Sequence, residues 1–366
     1  MASVFHLLDK RIQNVLHQHG ITKPTEPQQK AMPPLVDQEN VLLIAPTGLG
    51  KTESALLPVF HHFLKFRDGQ KKQEKSGISI VYVTPLRALN RDMLRRTISW
   101  GKALGISIAV RHGDTSQSER TRQSRSPPDM LITTPETLQI LFTGKRLRKH
   151  LQSVRWVIVD EVHELATDER GAQFAVALER LQAVTSHPFQ RIGLSATVGI
   201  PHEVACFLGG MEHGAARPVT IVEVDVTKHL DISVNLPQIK KGDHTQAQQL
   251  SMEPLSFAAL RQCYVLINDH VSTLVFINTR DGAEILATRL HLWKQEFPID
   301  VHHGSLSKQA RIQAENAFKQ GDLKALICTS SLELGIDVGN TDFVIQYNSP
   351  REVTRIVQRV GDLVIK

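Results

Sequence analysis

The sequence is poor in cysteine and in aromatic residues, and it has no long apolar run. Its three cysteines, Cys206, Cys263 and Cys328, are widely separated, which excludes a disulfide framework and a metal site built on paired cysteines. None of the 17 histidines forms a metal-ligand pattern with them. We therefore expect buried structural thiols in a reducing compartment.

No apolar run approaches the roughly 20 residues that a membrane-spanning helix requires. The first residues, MASVFHLLDKR, also lack the apolar centre of a secretion signal. The sequence therefore predicts a cytoplasmic protein with no membrane partner.

Aromatic residues make up 5% of the 366 residues, and the formal net charge is +6. A mild positive excess fits a polyanionic partner such as nucleic acid, although charge alone leaves this open. Because few aromatic side chains can stack on bases, binding to nucleic acid would depend mainly on charge and would weaken with salt. The length favours two domains.

The stretch VLLIAPTGLGKT (41–52) combines an apolar strand with a phosphate-loop pattern that opens a helix. Glycines in such a loop let backbone N–H groups face a phosphate, and the helix N-terminus adds a partial positive charge. Lys51 would reach the β- and γ-phosphates, and Thr52 would bind Mg²⁺. The first position is Ala45 where the strictest pattern has Gly, so a loop that binds nothing is the alternative. The predicted loop comprises Ala45, Pro46, Thr47, Gly48, Leu49, Gly50, Lys51 and Thr52.

Gln28 precedes this loop, within Pro24-Thr25-Glu26-Pro27-Gln28. Its amide offers a donor and an acceptor, which suits an adenine edge. The alternative is a solvent-facing glutamine near a helix start.

Three further apolar strands, within 78–85, 106–113 and 130–135, end in small or hydroxyl residues. In an open α/β sheet, ligands bind beyond the carboxyl ends of the strands, so these ends should lie along one edge and could contact phosphates. Ordinary strand-to-helix turns use the same residues, which is the alternative. The strand-end candidates are Thr84, Pro85, Gly113, Thr134 and Pro135.

The basic run Lys145–Lys149 has four cationic residues in five. It could touch a nucleic-acid backbone, but a solvated helix end is the commoner explanation.

Two adjacent carboxylates, Asp160 and Glu161, follow the apolar strand Trp156–Val159 in the pattern DEVH. Carboxylates at the end of a buried strand are costly unless they meet a cation or transfer a proton. With a phosphate loop upstream, Asp160 would hold Mg²⁺ and Glu161 would deprotonate the attacking water. His163 would pass the nucleotide state to its neighbours.

The strand of RIGLSAT (191–197) ends similarly in Ser195 and Thr197, whose hydroxyls could bond to the carboxylates or could form a simple turn.

A polar and β-rich stretch follows, and a second α/β alternation begins after it. We expect a first domain at 1–215, a connector at 216–256 and an incomplete second domain at 257–366, each domain a mostly parallel sheet flanked by helices.

The ordered motifs APTGLGKT, TPLRAL, TTPE, DEVH, SAT, LVFINTR and TSSLELGIDV resemble those of the superfamily-two helicases, over almost the whole chain. The segments PTEPQQKAMPPL, RHGDT, DEVHEL, HHGSLS and SSLELGID look most like the large helicase-related (Lhr-type) proteins. The resemblance implies two tandem RecA-like domains with a nucleotide cleft between them, ATP and Mg²⁺ as cofactors, and translocation on single strands. DNA is the favoured strand and RNA the alternative.

The resemblance also implies roles for matching positions. Gln28 would contact adenine, Ser195 and Thr197 would couple hydrolysis to strand movement, and Gly335 and Asp337 would meet the nucleotide from the second domain. The nucleic-acid track would include Arg87, Thr134, Asn278, Arg280, His303, Gly304 and Thr329.

The last family motif, Gln-Arg-x-Gly-Arg-x-x-Arg, begins correctly at the catalytic candidate Gln358 and then breaks. Asp362 and Ile365 stand where arginine fingers act on the γ-phosphate in related enzymes, and such a finger is worth roughly a thousandfold or more in rate. We interpret GDLVIK as an aberrant or alternative end, whether a truncation, a frameshift or a splice form. The hypothesis is that the chain binds ATP but hydrolyses it poorly.

Two rival functions also fit parts of this sequence. A non-catalytic, ATP-gated binding module would bind strands without turnover. In a phosphate-loop ATPase or kinase of small substrates, single strands would not change the rate of turnover. This rival function leaves the order of the motifs unexplained.

Overall fold

The computed structural model describes residues 3–46, 48–70, 77–85, 91–166, 169–196, 199–224, 231–329, 341–349 and 359. The chain forms two compact units, Met1–Val226 and Thr227–Lys366. Each unit has its own sheet and its own hydrophobic core.

The first unit is built on a seven-stranded sheet in which all pairings are parallel. The strand order is β3-β4-β2-β5-β6-β1-β9. A short antiparallel pair, β7 and β8, lies outside this sheet. The strands are β1 Val41–Ile44, β2 Ile80–Val83, β3 Ile108–Arg111, β4 Met130–Thr133, β5 Trp156–Val159, β6 Gln190–Ser195, β7 Met211–Glu212, β8 Ala215–Ala216 and β9 Thr220–Glu223.

Helices connect these strands, after a short 3₁₀ turn at Val4–Leu7. They are α1 Lys10–Gln18, α2 Glu26–Val36, α3 Lys51–Gly69, α4 Arg91–Leu104, α5 Gln117–Arg125, α6 Pro135–Leu141, α7 Lys145–Leu151, α8 Val162–Ala166, α9 Glu169–Val184 and α10 Pro201–Gly209.

The central strands are apolar throughout because both faces of the sheet are covered. Strands β1, β2, β4 and β5 are buried at every position. Alternate residues of β1 join different cores: Val41 and Leu43 pack on one face, and Leu42 and Ile44 on the other. Continuous apolar runs of this kind are typical of parallel strands between two helical layers.

The second unit has a four-stranded parallel sheet in the order β11-β12-β10-β13. Its strands are β10 Thr273–Phe276, β11 Ile299–His302, β12 Ala325–Cys328 and β13 Phe343–Gln346. Its helices are α11 Asp243–Gln249, α12 Pro254–Asp269, α13 Arg280–Trp293 and α14 Lys308–Gln320. The apolar runs of the sequence therefore become strands here as predicted.

Two expectations about the middle of the chain need correction. Strand β9 lies within the stretch 216–256 expected to be a connector, yet it pairs with β1 in the first sheet, so that sheet extends beyond residue 215. The stretch after the first domain was also expected to be β-rich, but its residues 231–240 contain no strand. The limits of the domains otherwise stay a prediction.

The expectation of buried thiols is correct for Cys263 and Cys328 and wrong for Cys206, which is exposed on α10. Among the described residues, no helix is both long enough and apolar enough to cross a membrane.

Candidate nucleotide and nucleic-acid site

The predicted phosphate loop lies between β1 and α3, at the carboxyl edge of the first sheet. Gly48 and Gly50 both have a φ of +78°, a conformation that favours glycine, so the backbone curls as the pattern requires. Gly50 caps α3, and Lys51 and Thr52 begin this helix. The buried Lys51 ammonium donates to the Ala45 carbonyl across the loop, at 2.8 Å.

The start of α2 is tied to the same loop. The Thr25 hydroxyl donates to the Leu49 carbonyl (2.8 Å), and the Thr25 amide donates to Oε1 of Gln28 (3.0 Å). Gln28 is 5% exposed, so it is not the solvent-facing residue of the alternative interpretation. Its Nε2 lies so close to Gly50 that a Cβ added there would be 2.9 Å away. Gln28 therefore lies against the loop, next to where a nucleotide would bind.

Asp160 follows β5 and is held through both carboxylate oxygens. The Tyr82 hydroxyl donates to Oδ2 at 2.6 Å, and the Glu161 amide donates to Oδ1 at 3.0 Å. Burial, followed by the charge of Glu161, raises the pKa of Asp160 to about 6. Burial also keeps the pKa of Tyr82 well above its usual value, so its hydroxyl is a donor at neutral pH.

His163 connects the carboxylates to the end of β6. Its Nδ1 lies 3.0 Å from the Ser195 hydroxyl and 3.5 Å from Oε2 of Glu161. Burial and the charge of Lys51 lower the pKa of His163 to about 4, so the ring is neutral at pH 7. The Ala45 amide donates to the Ser195 carbonyl at 3.1 Å, which joins the loop to the same strand end.

The chain turns sharply in the DEVH segment. Glu161 has a φ of +50°, which turns the chain sharply between β5 and α8. Lys51, Asp160, Glu161, His163 and Ser195 thus converge at neighbouring ends of β1, β5 and β6, with a cation, two carboxylates and a neutral imidazole in one place.

The strand-end candidates of the first unit lie along the other part of the same edge. Strands β2, β4 and β3 are neighbours, and Thr84, Thr134 and Gly113 follow them. The Thr134 side chain caps α6 by accepting from the Thr137 amide (3.3 Å), with Pro135 as the first helical residue. The alternative of ordinary turn chemistry therefore holds for Thr134, and it does not exclude a phosphate contact. The Thr84 hydroxyl is buried without a hydrogen-bond partner among the described residues.

The candidates of the second unit follow β10, β11 and β12, which are also neighbours. Arg280 donates to the Ser305 hydroxyl at 2.7 Å, and Nε2 of His303 lies 2.8 Å from Glu284. Asn278 is exposed, and its amide donates to the Ser349 carbonyl at 3.0 Å. Gly304 and Thr329 follow β11 and β12, so these candidates share one edge of the second sheet.

Six candidate residues lie outside the described part of the chain: Thr47, Arg87, Thr197, Gly335, Asp337 and Gln358. Their roles stay predictions.

Tyr82 contacts Asp160, although the motifs did not indicate it as a residue of this site. It stands within the apolar stretch ISIVYVTP and looks like a core aromatic residue. The available signal was its position, two residues before Thr84, which puts its hydroxyl near the carboxyl edge of β2.

Two family models match the chain. The DEAD/DEAH box helicase model matches residues 25–204, and the helicase conserved C-terminal domain model matches residues 256–361. The ATP-dependent helicase Lhr-Core of Methanothermobacter thermautotrophicus is 40% identical over 355 residues, covering 92% of this chain and 40% of that protein. This chain belongs to the superfamily-two helicases, in the Lhr type. The expected family is thereby confirmed.

Another Lhr-type relative is the Lhr helicase/uracil glycosylase of Escherichia coli, 35% identical and covering 93% of this chain and 25% of that protein. The chain therefore spans less than half the length of these curated relatives.

Solved structures confirm the tandem RecA-like fold. The Mycobacterium smegmatis helicase Lhr, bound to ssDNA and AMP-PNP, matches with a TM-score of 0.80 and 35% identity, covering 99% of this chain and 46% of that one. The DEAD-box helicase Mss116, bound to ssRNA and UDP-BeF, matches with a TM-score of 0.76 at 19% identity, covering 99% and 73%, and shows the fold alone.

Proposed function

We propose that this chain is the ATP-dependent motor core of an Lhr-type helicase, which couples ATP hydrolysis to movement on a nucleic-acid single strand. The observation that carries the proposal is the group Lys51, Asp160, Glu161, His163 and Ser195 at one sheet edge. The ssDNA and AMP-PNP in the related Mycobacterium smegmatis structure support the same substrates.

The loop would bind the ATP phosphates through its backbone N–H groups, with Gly48 and Gly50 supplying the necessary curl. Lys51 would exchange its bond to the Ala45 carbonyl for the β- and γ-phosphates. Gln28, beside Gly50, would contact adenine. Thr47, Gly335 and Asp337 would complete the nucleotide contacts, and Gln358 would act in catalysis.

The side chains of Thr52 and Asp160 fit Mg²⁺, which prefers hard oxygen ligands and takes few from protein when phosphates and water supply the rest. When bound, Mg²⁺ neutralises charge on the phosphates. Among the described residues, no group of three or more His, Cys, Asp or Glu side chains could hold a metal ion by itself.

Glu161 would orient the attacking water and accept its proton. His163 and Ser195 would transmit the state of this carboxylate to β6, and Thr197 would extend that link. Phosphate contacts from Thr84, Arg87, Gly113, Thr134 and Pro135 would hold a strand without reading its sequence, as a motor requires. Asn278, Arg280, His303, Gly304 and Thr329 would do the same in the second unit. DNA is the favoured strand, and a cytoplasmic location stays a prediction from composition.

The test is the steady-state rate of ATP hydrolysis with and without single-stranded DNA or RNA. Glu161→Gln should lower kcat by about 100-fold or more while the protein still binds ATP. Glu203→Gln, at an exposed position on α10, is the matched control and should leave kcat unchanged. A kcat for ATP hydrolysis that is unchanged by Glu161→Gln, or unchanged by added single strands, would overturn the proposal.

The same assay tests the hypothesis of poor hydrolysis. None of the matches above supports a non-catalytic chain, and the match to the C-terminal model ends at residue 361, immediately before Asp362. Asp362 and Ile365 lie outside the described residues. If their identities limit the rate, the double change Asp362→Arg and Ile365→Arg should raise kcat by orders of magnitude. An unchanged kcat would contradict the hypothesis.

A further inference from the structure

The excess positive charge of this chain is concentrated on two helices of the first unit. Helices α5 and α7 together contain seven arginines and lysines and one carboxylate, Glu119, a formal charge of +6. The whole chain also has a formal net charge of +6. The rest of the protein is therefore close to neutral, and the chain is basic because of these two helices.

Helices α5 and α7 pack against each other, with Nε2 of His150 3.1 Å from the Ser124 carbonyl. Their outer face, which we name the basic face, consists of six exposed cationic residues. They are Arg122, Arg125, Lys145, Arg146, Arg148 and Lys149.

These charges are largely free to meet a partner. Arg122 pairs with Glu119 at 2.5 Å. Within the described residues, no carboxylate forms an ion pair with any of the other five. Like charges on one face repel one another, and a polyanion relieves that repulsion.

The end of α7 lies away from the candidate single-strand contacts. The amide before β2, at Ile78, donates to the His150 carbonyl at the end of α7 (2.9 Å), so this end lies at the amino edge of the sheet. Thr84, Gly113 and Thr134 lie at the carboxyl edge. A four-residue strand separates these edges by about 13 Å.

The chemistry of the basic face favours a nucleic-acid duplex. Helix α5 has no apolar residue, and Leu147 and Leu151 of α7 are buried, so the face lacks the apolar centre typical of protein interfaces. Neither helix has a Phe, Tyr or Trp on which an unpaired base could stack. A duplex presents one phosphate charge per roughly 1.7 Å of axis and can be bound without sequence specificity through charge.

We infer that the basic face of α5 and α7 is a second nucleic-acid surface, which binds the phosphate backbone of duplex DNA or RNA adjoining the single strand held at the carboxyl edge. This inference goes beyond the proposed motor function. It does not require ATP hydrolysis.

The test compares the affinity of the full chain, without nucleotide, for a single strand and for a duplex with that strand as its tail. The variant Arg125→Gln, Arg146→Gln, Lys149→Gln removes half of the basic face. The control Lys10→Gln, Lys65→Gln, Lys102→Gln removes the same charge from exposed positions on α1, α3 and α4. Each phosphate contact contributes about 0.9 to the steepness with which log affinity falls with log salt concentration. The variant loses three cations, so for the tailed duplex this steepness should decrease by about 2 to 3.

We expect the variant to bind the tailed duplex about tenfold more weakly near 0.15 M salt, with single-strand affinity and strand-stimulated ATP hydrolysis unchanged. The control should match the wild type. If the variant binds the isolated single strand more weakly by the same factor as the tailed duplex, the basic face is part of the single-strand track. If the variant binds the tailed duplex as tightly as the wild type does, the basic face binds no duplex. Either result overturns the inference. Weaker binding of polyglutamate with unchanged duplex binding would indicate an acidic protein partner and would also overturn it. Failure of the Glu161→Gln experiment affects only the proposed hydrolysis.

Discussion

At the residue scale, Tyr82 gives the candidate site a feature that its motifs do not contain. Its buried hydroxyl donates to Oδ2 of Asp160 at 2.6 Å and also interacts with Thr52. Thr52 and Asp160 are the two residues proposed to bind Mg²⁺, and the same phenol interacts with both. A metal ligand is oriented by the groups that hydrogen-bond to it, so Tyr82 should position this pair.

Tyr82→Phe removes this donor and leaves the ring in place. A hydrogen bond to a charged group contributes about 1.5–3 kcal/mol, and the free energy of unfolding should fall by that order. The Mg²⁺ concentration for half-maximal binding of a fluorescent ATP analogue should rise severalfold because Asp160 is less well oriented. The measurement is a Mg²⁺ titration of analogue binding, which does not depend on turnover.

Tyr264→Phe is the matched control. Tyr264 packs its ring against Trp293 in the second unit, so this change removes one hydroxyl far along the chain from Asp160. It should leave the Mg²⁺ titration unchanged. If Tyr82→Phe lowers stability and leaves the Mg²⁺ titration at its wild-type position, Tyr82 has a structural role only.

At the element scale, the close crossing of α8 and α9 holds the DEVH segment in place. Helix α8 begins at Val162, directly after Glu161, and it includes His163. Helix α9 packs against it at Gly171, where an added Cβ would lie 1.8 Å from the Leu165 carbonyl oxygen. Only glycine permits this approach without a shift of one helix.

Gly171→Ala should therefore displace α8. Overpacking of this kind costs typically 1–3 kcal/mol of unfolding free energy, and the displacement should also lower kcat for ATP because it moves Glu161 and His163. Thermal unfolding and steady-state hydrolysis measure the two effects. Gly69→Ala, at the end of α3 with no heavy atom near its Cβ, is the control and should change neither. A Gly171→Ala variant with wild-type stability would show that the two helices separate freely.

The contrast between Gly171 and the motifs shows what sequence could predict. Apolar runs ending in polar residues predicted the central strands, because parallel strands buried on both faces leave that signature. They also predicted which residues lie at the carboxyl edge. The hydroxyl of Tyr82 bonds to Asp160 at the end of another strand, and the contact at Gly171 depends on how closely α9 folds back on α8; neither leaves a periodic signal. The pairing of β9 with β1 leaves no such signal either, since the two strands are far apart in sequence.

At the scale of the whole molecule, buried neutral histidines should make the fold sensitive to mild acid. Burial lowers the pKa of His61 and of His163 to about 4 from an ordinary value of 6.5. Below pH 6.5 the unfolded chain binds more protons at these positions than the folded chain, so stability falls as pH decreases toward 4. Asp160 acts in the opposite sense below pH 6, because its pKa is raised to about 6 from 3.8 and the folded chain then takes up the extra proton. Between about pH 6.5 and 6, Asp160 therefore offsets least of the stability that is lost through the two histidines.

His61 allows this to be tested away from the proposed catalytic group. It is buried on α3, and its Nδ1 has no hydrogen-bond partner among the described residues. His61→Leu should raise the free energy of unfolding slightly at pH 7.5, because an unsatisfied polar atom is removed, and by a larger amount at pH 5.5, because a proton-binding difference is removed as well. Denaturant titrations at the two pH values give both numbers. His17→Leu, at an exposed position on α1, is the control for replacing a histidine by leucine. A gain for His61→Leu that is the same at both pH values would show that His61 does not contribute to acid sensitivity, and would leave the buried imidazole of His163 as the residue to test.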